Sequence, residues 1–280
     1  MTVKEDCHVK FLLLSRKKMT VLACALAAAL MLGVVNWPYY APAVAASRQL
    51  PIYCVQRDQK IVSLSFDAAW GNEDTQQLID ILGTYDVKAT FFVVGEWVDK
   101  YPESVKALHD AGHEVMNHSD THAHLSQLSQ EEITADLNAC SDKIESVTGT
   151  RPTLVRPPYG EYDDHVITAI RAMGLEPIQW DVDSLDWKDL SAGEITKRVL
   201  NKVCPGSIVL FHNAALHTPE ALPTIIETLL REGYTFVPIS QIILPGEYNV
   251  DYTIDHTGRQ CPAEPAPSPS QAQTLLPGTI

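Results

Sequence analysis

Side chains that handle protons and cations recur where β-rich runs of this sequence end. The run "KIVSLSF" stops at Asp67. "HEVMN" leads into His118 and, four residues on, His122. "TLV" leads into Arg156, Pro157, Pro158 and Tyr159, and "EPIQW" into Asp181, Asp183, Asp186 and Trp187. "SIVLF" ends at His212. Two neutral imidazoles can hold a borderline cation such as zinc, with cobalt or nickel as alternatives. A cation there would polarise a carbonyl, Asp67 could take a proton from water, and His212 could return one to a leaving group. That set describes hydrolysis of an amide or ester. Singly, each residue has a plainer explanation. HxxxH pairs arise by chance, a strand-end Asp caps helices, an Arg makes structural ion pairs, and "RPPYG" is a rigid turn. Together they end different strands on one face. His109, His113, His124 and His217 match no such pattern and read as solvent or packing residues.

The elements that must position them alternate. Strand-like runs at "KIVSLSFD", "ATFFVVG", "HEVMNHS", "TLVRPPY", "EPIQWDV", "SIVLFH" and "TFVPISQII" are separated by helical stretches. The clearest helix starts at Ser129, where Glu132 completes a capping box, and carries the stripe Ile133, Leu137, Cys140, Ile144, Val147. Others place Ile195, Val199 and Val203, or Leu222, Ile225, Ile226 and Leu229, on one face. Strand–helix alternation implies parallel pairing with helices outside. About seven such units predict an α/β fold, a distorted (β/α) barrel whose chemistry gathers at the strand C-termini. A doubly wound open sheet is the alternative, without a GxGxxG after any strand.

The remaining segments read differently. Arg16, Lys17 and Lys18 precede an apolar run over residues 19–35, and "APAVAAS" follows, so residues 1–46 read as a signal peptide or a signal anchor. Either places the rest outside the cytoplasm, secreted or held at the membrane through this segment alone. Residues 47–57 read as a linker, 58–244 as the folded domain and 245–280 as a Pro-rich disordered tail. The chain has 280 residues, 45% hydrophobic and 20% charged, enough for a sizeable core. Its net charge of −14 argues against nucleic acid as a partner. Cys140 falls on a helix stripe and reads as buried. The pairing of Cys54, Cys204 and Cys261 stays open, as does the oligomeric state.

In order along the chain, "SFDAAWG", "HSDTH", "RPPYG", "DSLDW" and "LFH" resemble the five motifs of the polysaccharide deacetylases, the NodB-homology domain of carbohydrate esterase family 4. The resemblance covers residues 58–244 and implies a distorted (β/α) barrel that removes acetyl groups from N-acetylglucosamine or related sugars, here a deacetylase of the peptidoglycan N-acetylglucosamine type. It assigns Asp67 as catalytic base, His118 and His122 as metal ligands, and Arg156 as the group orienting the base. The backbone N–H of Tyr159 becomes an oxyanion donor, Trp187 an apolar wall of the substrate site, and Asp183 the acid that tunes the catalytic His212. The family's first motif usually carries a second acid, the third metal ligand. Here that position is Ala68, and Glu73 and Asp74 are the nearest acids that could substitute. This altered motif resembles a sporulation and cell-envelope branch. Peptidoglycan is then the expected glycan partner, with a glycan-binding envelope protein lacking turnover as the alternative.

Overall fold

The computed structural model describes Thr20 and residues 48–263. The chain divides into two units, Met1–Ser47 and Arg48–Ile280, and all that follows concerns the second. The signal or anchor segment and residues 264–280 of the expected tail lie outside the described residues. Among the described residues no helix is long and apolar enough to cross a membrane.

Strands β1 (Cys54–Val55) to β8 (Ile208–His212) alternate with helices, except that β1 runs on to β2 and β6 to β7 without one. Between them come β2 (Ile61–Ala68), β3 (Thr90–Val93), β4 (Glu114–Asn117), β5 (Leu154–Val155), β6 (Glu176–Pro177) and β7 (Val182–Asp183). The helices are α1 (Thr75–Thr84), α2 (Gly95–Lys100), α3 (Pro102–Asp110), α4 (Gln130–Thr148), α5 (Asp164–Ala172), α6 (Ala192–Leu200), α7 (Thr218–Arg231) and α8 (Ile239–Ile242). Seven strands pair in parallel in the order β6-β5-β4-β3-β2-β8-β7, and β9 (Thr235–Phe236) adds to the start of β2. This is the distorted (β/α) barrel that the strand–helix alternation predicts, not the doubly wound alternative. The Ser129–Glu132 capping box forms at the start of α4, and Cys140 is buried on that helix.

Period-2 alternation explains how β2 delivers an acid. Val62, Leu64, Phe66 and Ala68 pack into the apolar layer shared with helix residues Leu78, Leu82, Leu222 and Ile226. The intervening Ser63, Ser65 and Asp67 are also buried and need partners. Ser63 Oγ donates to the Val237 carbonyl and Ser65 Oγ to the Val209 carbonyl. Asp67 pairs with Arg156. Phe92, Met116, Ile178 and Ile208 form a second apolar cluster, joined by Ile239 and Ile242 of α8.

Two of the expected boundaries change. The expected linker is structured: Ile52 bridges to Ile178 beside β6, and the Val55 N–H donates to the Gly206 carbonyl just before β8. Residues 52–55 thus lie along the seam between the two ends of the sheet. The expected tail also begins too early, because β10 (Tyr252–Ile254) and β11 (Arg259–Pro262) form a hairpin whose second strand pairs in parallel with β1. Its turn carries the signal that composition obscures. Asp255 Oδ1 accepts the N–H groups of Thr257 and Arg259, and Gly258 holds φ +85°. Cys54, Cys140, Cys204 and Cys261 are free thiols.

Glycine substitutions test this seam. Gly206 has φ +88°, and a Cβ there would lie 1.8 Å from the Val55 carbonyl oxygen. Gly206→Ala is expected to lower stability to urea by at least about 2 kcal/mol through backbone strain and the clash. Gly83, in α1, has no atom within 4 Å of its would-be Cβ. Gly83→Ala should raise stability by about 0.5–1 kcal/mol. Equal midpoints for the two variants would refute the seam contact.

Candidate active site

The residues that end β2, β4, β5, β7 and β8 line one cleft of about 440 Å³, whose walls include Asp67, His118, His122, Tyr159, Trp187 and His212. At its base the fully buried Arg156 donates to Asp67 Oδ1 at 2.6 Å, to Ser65 Oγ at 2.8 Å and to the Gln179 carbonyl at 3.2 Å. Its guanidinium lies 4.2 Å from the Phe92 ring centroid. Burial opposes the Asp67 charge, but Arg156, His118 and His212 outweigh it and hold the carboxyl below its usual range. Asp67 is therefore ionised.

His118 sits beside that carboxylate in a defined tautomer. Its Nδ1 is 2.7 Å from the Arg156 carbonyl, which can only accept, so Nδ1 carries the hydrogen. Nε2 then points a lone pair at Asp67 Oδ2, 3.5 Å away. Burial, against the pull of Asp67, lowers the His118 pKa, so the ring is neutral near pH 7. Two acceptors facing one another across 3.5 Å suit a cation between or beside them. His122 has φ +54°, and burial followed by His118 pushes its pKa down to about 4. The His118 and His122 ring centroids are 5.0 Å apart.

Across the cleft, His212 Nδ1 bonds Asp186 Oδ1 at 2.8 Å. Asp186 Oδ2 accepts the His212 N–H at 2.8 Å and the Thr218 hydroxyl at 2.7 Å. Burial works against a charged His212, but the Asp186 bond and charge dominate and raise its pKa. This corrects the expectation for Asp183: the acid that holds His212 is Asp186. Leu185, at φ +54°, turns the chain so that Asp186 comes back under the ring. Asp183 lines the cleft, with Oδ1 accepting the Leu185 N–H at 2.9 Å. Asp181 does not join the rim. It accepts the Ser207 hydroxyl and the Ile208 N–H at the start of β8, the end opposite His212, and burial raises its pKa to about 6.

The structure also separates the candidates for a third ligand. Ala68 is buried in the outer apolar layer. Glu73 accepts the Asn72 N–H, Asp74 Oδ1 accepts the Ala214 N–H, and neither acid lines the cleft. Among the described residues, no group of three or more His, Cys, Asp or Glu is arranged to hold a metal. His118 and His122 fit two places of a cation's donor set, and the Asp67 carboxylate faces His118. Two contributors escaped the sequence reading. Asn213 Nδ2 donates to the carbonyls of Trp70 and Gly71, each at 2.7 Å, and so fixes the loop after β2. Trp70, held there, stands half exposed at the rim. His124, read as a solvent residue, stacks on the exposed Tyr159 ring at 4.3 Å and pairs with Glu161 at 2.7 Å.

On a parallel barrel, strand ends are where side chains from separate strands converge on one face. The family model for polysaccharide deacetylase matches residues 55–178. The peptidoglycan-N-acetylmuramic acid deacetylase PdaC of Bacillus subtilis is 38% identical over 188 residues, covering 67% of this chain and 40% of its own length. PdaA of the same organism, also a peptidoglycan-N-acetylmuramic acid deacetylase, is 30% identical over 70% of this chain and 76% of its own. The Bacillus anthracis protein BA3943, a pseudoenzyme of carbohydrate esterase family 4, superposes with TM-score 0.67 at 38% identity, over 69% of this chain and 68% of its own. A mutant of BA3943 has restored enzymatic activity. The chain belongs to the polysaccharide deacetylase family, carbohydrate esterase family 4. It spans less than half the length of PdaC.

The Asp186 assignment has a direct test. In Asp186→Asn, burial should prevail and the His212 pKa should drop below the free-histidine value of about 6.5. Asp183→Asn should leave it above. In the parent, folding raises the His212 pKa. The pair therefore stabilises fully below about pH 6.5, and that stabilisation is lost as pH rises through the folded value. In Asp186→Asn the sign reverses. NMR titration of the ring and denaturation across pH read both effects, and an unmoved pKa in Asp186→Asn would return the role to Asp183.

Proposed function

We propose that this protein hydrolyses the acetamide of N-acetyl sugars in cell-wall glycan, with peptidoglycan as the substrate. The observation that carries the reading is the opposition of two tuned groups across one cleft. Asp67 is held ionised by Arg156, and His212 is held protonated by Asp186. A base kept charged and an acid kept protonated are what amide hydrolysis needs on its two sides. In this scheme Asp67 takes the proton of the attacking water, and His212 protonates the departing amine nitrogen. Arg156 keeps the Asp67 carboxylate in one orientation. The Tyr159 backbone N–H is assigned to the carbonyl oxygen as its charge develops, and Trp187 to the acetyl methyl group. Deacetylases of this family are generally divalent-metal dependent. His118 and His122 are the residues that would hold such an ion, which supplies Lewis-acid polarisation of the acetamide carbonyl. Zinc is the proposed ion, with cobalt or nickel as substitutes. The basic-then-apolar N-terminal pattern supports action outside the cytoplasm, at the cell envelope.

Purified protein supplied with zinc, cobalt or nickel should release acetate from peptidoglycan or acetylated chito-oligomers. Asp67→Asn should reduce that release about 10²–10⁴-fold. Arg156 is then left buried without its anionic partner, so the variant should also be less stable by about 3–5 kcal/mol. Circular dichroism at the assay temperature separates the two effects. A folded Asp67→Asn protein with undiminished release would remove Asp67 from the mechanism.

A second reading, a glycan-binding protein without turnover, is favoured by Ala68 and by the likeness to a pseudoenzyme. Replacing Ala68 with Asp separates the two. An Asp there begins in an apolar layer, where a lone carboxylate is costly. The metal-free variant should therefore be less stable than the parent and should regain stability with zinc. Its zinc affinity is expected to rise at least tenfold, about 1.4 kcal/mol, by isothermal titration. Unchanged affinity would mean that Asp67 already fills the third place.

A further inference from the structure

Resting on that metal-dependent deacetylase reading, we propose that His124 and Glu161 are positioning residues for His122, holding its ring through an aromatic stack in place of the hydrogen bond that fixes His118. Three observations carry this. The first is an asymmetry between the two imidazoles. His118 Nδ1 donates to the Arg156 carbonyl, which sets its tautomer and its angle. Among the described residues no hydrogen bond reaches the His122 ring. A metal-ligating imidazole is ordinarily oriented by a partner on its second nitrogen. At His122 rings take that place. His118, Tyr159 and Trp70 lie edge to face against it, with centroids 5.0, 4.4 and 6.0 Å away.

The second is how the nearest of these rings is secured. Tyr159 is 58% exposed, so burial in the interior does not hold it. His124 lies flat against it, with 4.3 Å between centroids and 12° between planes. Aromatic pairs of this kind stabilise beyond the area they cover. The His124 ring is held in turn by Glu161. Oε2 of that carboxylate accepts from His124 Nδ1 at 2.7 Å, and Oε1 accepts the Ser126 hydroxyl. A carboxylate held at both oxygens gives the ring that bonds it a fixed anchor.

The third is the backbone. His122 and Tyr159 both hold left-handed φ, +54° and +62°, a conformation that persists only where the surroundings enforce it. The clamp joins the two loops that carry them. His124 lies two residues after His122, and Glu161 two residues after Tyr159. The Glu161 N–H also closes a turn onto the Pro158 carbonyl at 3.1 Å. The bond between His124 and Glu161 therefore ties the loop after β4 to the loop after β5, with the Tyr159 and His122 rings packed between their backbones.

The test measures metal binding apart from turnover. Zinc is titrated by calorimetry into chelator-treated full-length protein and its variants. His124→Ala and Glu161→Ala should each weaken zinc binding about tenfold, as loss of a ligand's orienting partner does. His124→Gln keeps a donor for Glu161 but no ring, and should lose as much. Glu161→Gln keeps an acceptor oxygen for His124, and should stay within about threefold of the parent. Both side chains are at the surface, and circular dichroism confirms that each variant is folded. Unchanged affinity in folded His124→Ala or Glu161→Ala would overturn the proposal, because a clamp that only stabilises the loops lowers the melting temperature and leaves zinc affinity alone. Full affinity in His124→Gln would overturn it too. An equal loss in Glu161→Gln would overturn it in favour of the carboxylate's charge, and a loss confined to the His124 variants would make His124 itself a donor. A parent that binds no zinc would overturn it together with the metal role of His122. Weakened binding in the variants, with no acetate release from the zinc-loaded parent, would sustain the positioning role and remove the deacetylase reading alone.

Discussion

The pairing of one buried guanidinium with one buried carboxylate organises this protein. Arg156 and Asp67 lie 89 residues apart in sequence and meet inside the barrel, where an unpaired charge of either sign would cost several kcal/mol. Once paired, the arginine does more than neutralise. Its side chain fixes the Asp67 carboxylate and bonds Ser65, while its backbone carbonyl fixes the tautomer of His118. One residue thus aligns the Asp67 carboxylate and, through the main chain, the imidazole beside it. Its flat cation lies against Phe92, so the apolar interior continues up to the charged layer.

The far side of the cleft follows the opposite electrostatic logic. Asp67 is kept charged by a cation, whereas His212 is kept charged by an anion, Asp186, itself held by two further donors. The two environments push the pKa of Asp67 down and that of His212 up, which widens the gap between a carboxylate and an imidazole on opposite sides of the cleft. The positive φ of Ser119, His122, Tyr159 and Leu185 belongs to the same design. Three strand-end loops, after β4, β5 and β7, hold backbone in sparsely populated conformations, as sites do when the surrounding scaffold over-determines them.

Much of this was legible in sequence because barrels place chemistry at strand ends and strands announce themselves by period. Asp67, His118, His122 and His212 each follow an apolar run, and all four line the cleft. The Asp186 partnership was not legible in the same way. "DSLDW" carries two acids, and the choice between them rests on a left-handed turn at Leu185 that no periodicity reveals. Asp181 was misplaced for a related reason: β7 spans only Val182–Asp183, so Asp181 precedes the strand and bonds the start of β8, whereas Asp183 two residues on ends it. Composition misled at the C-terminal side, where prolines and small residues beyond residue 261 masked a hairpin built from Tyr252, Ile254 and an Asp–Gly turn.

The seam has a consequence for the order of events as the chain is made. Ile52 and Val55 find their partners beside residues 178 and 206, and β1 pairs with β11 at residues 259–260. These contacts span most of the described chain, so their loop-closure cost is among the largest in the fold. A polypeptide emerging N-terminus first, from a ribosome or a translocation channel, presents β1 long before Gly206 or β11 exists. The inner strands β2 to β5 can assemble during that interval. The edge they leave open stays unzipped until the final hairpin arrives, and the earliest strand of the domain is therefore among the last to find its place.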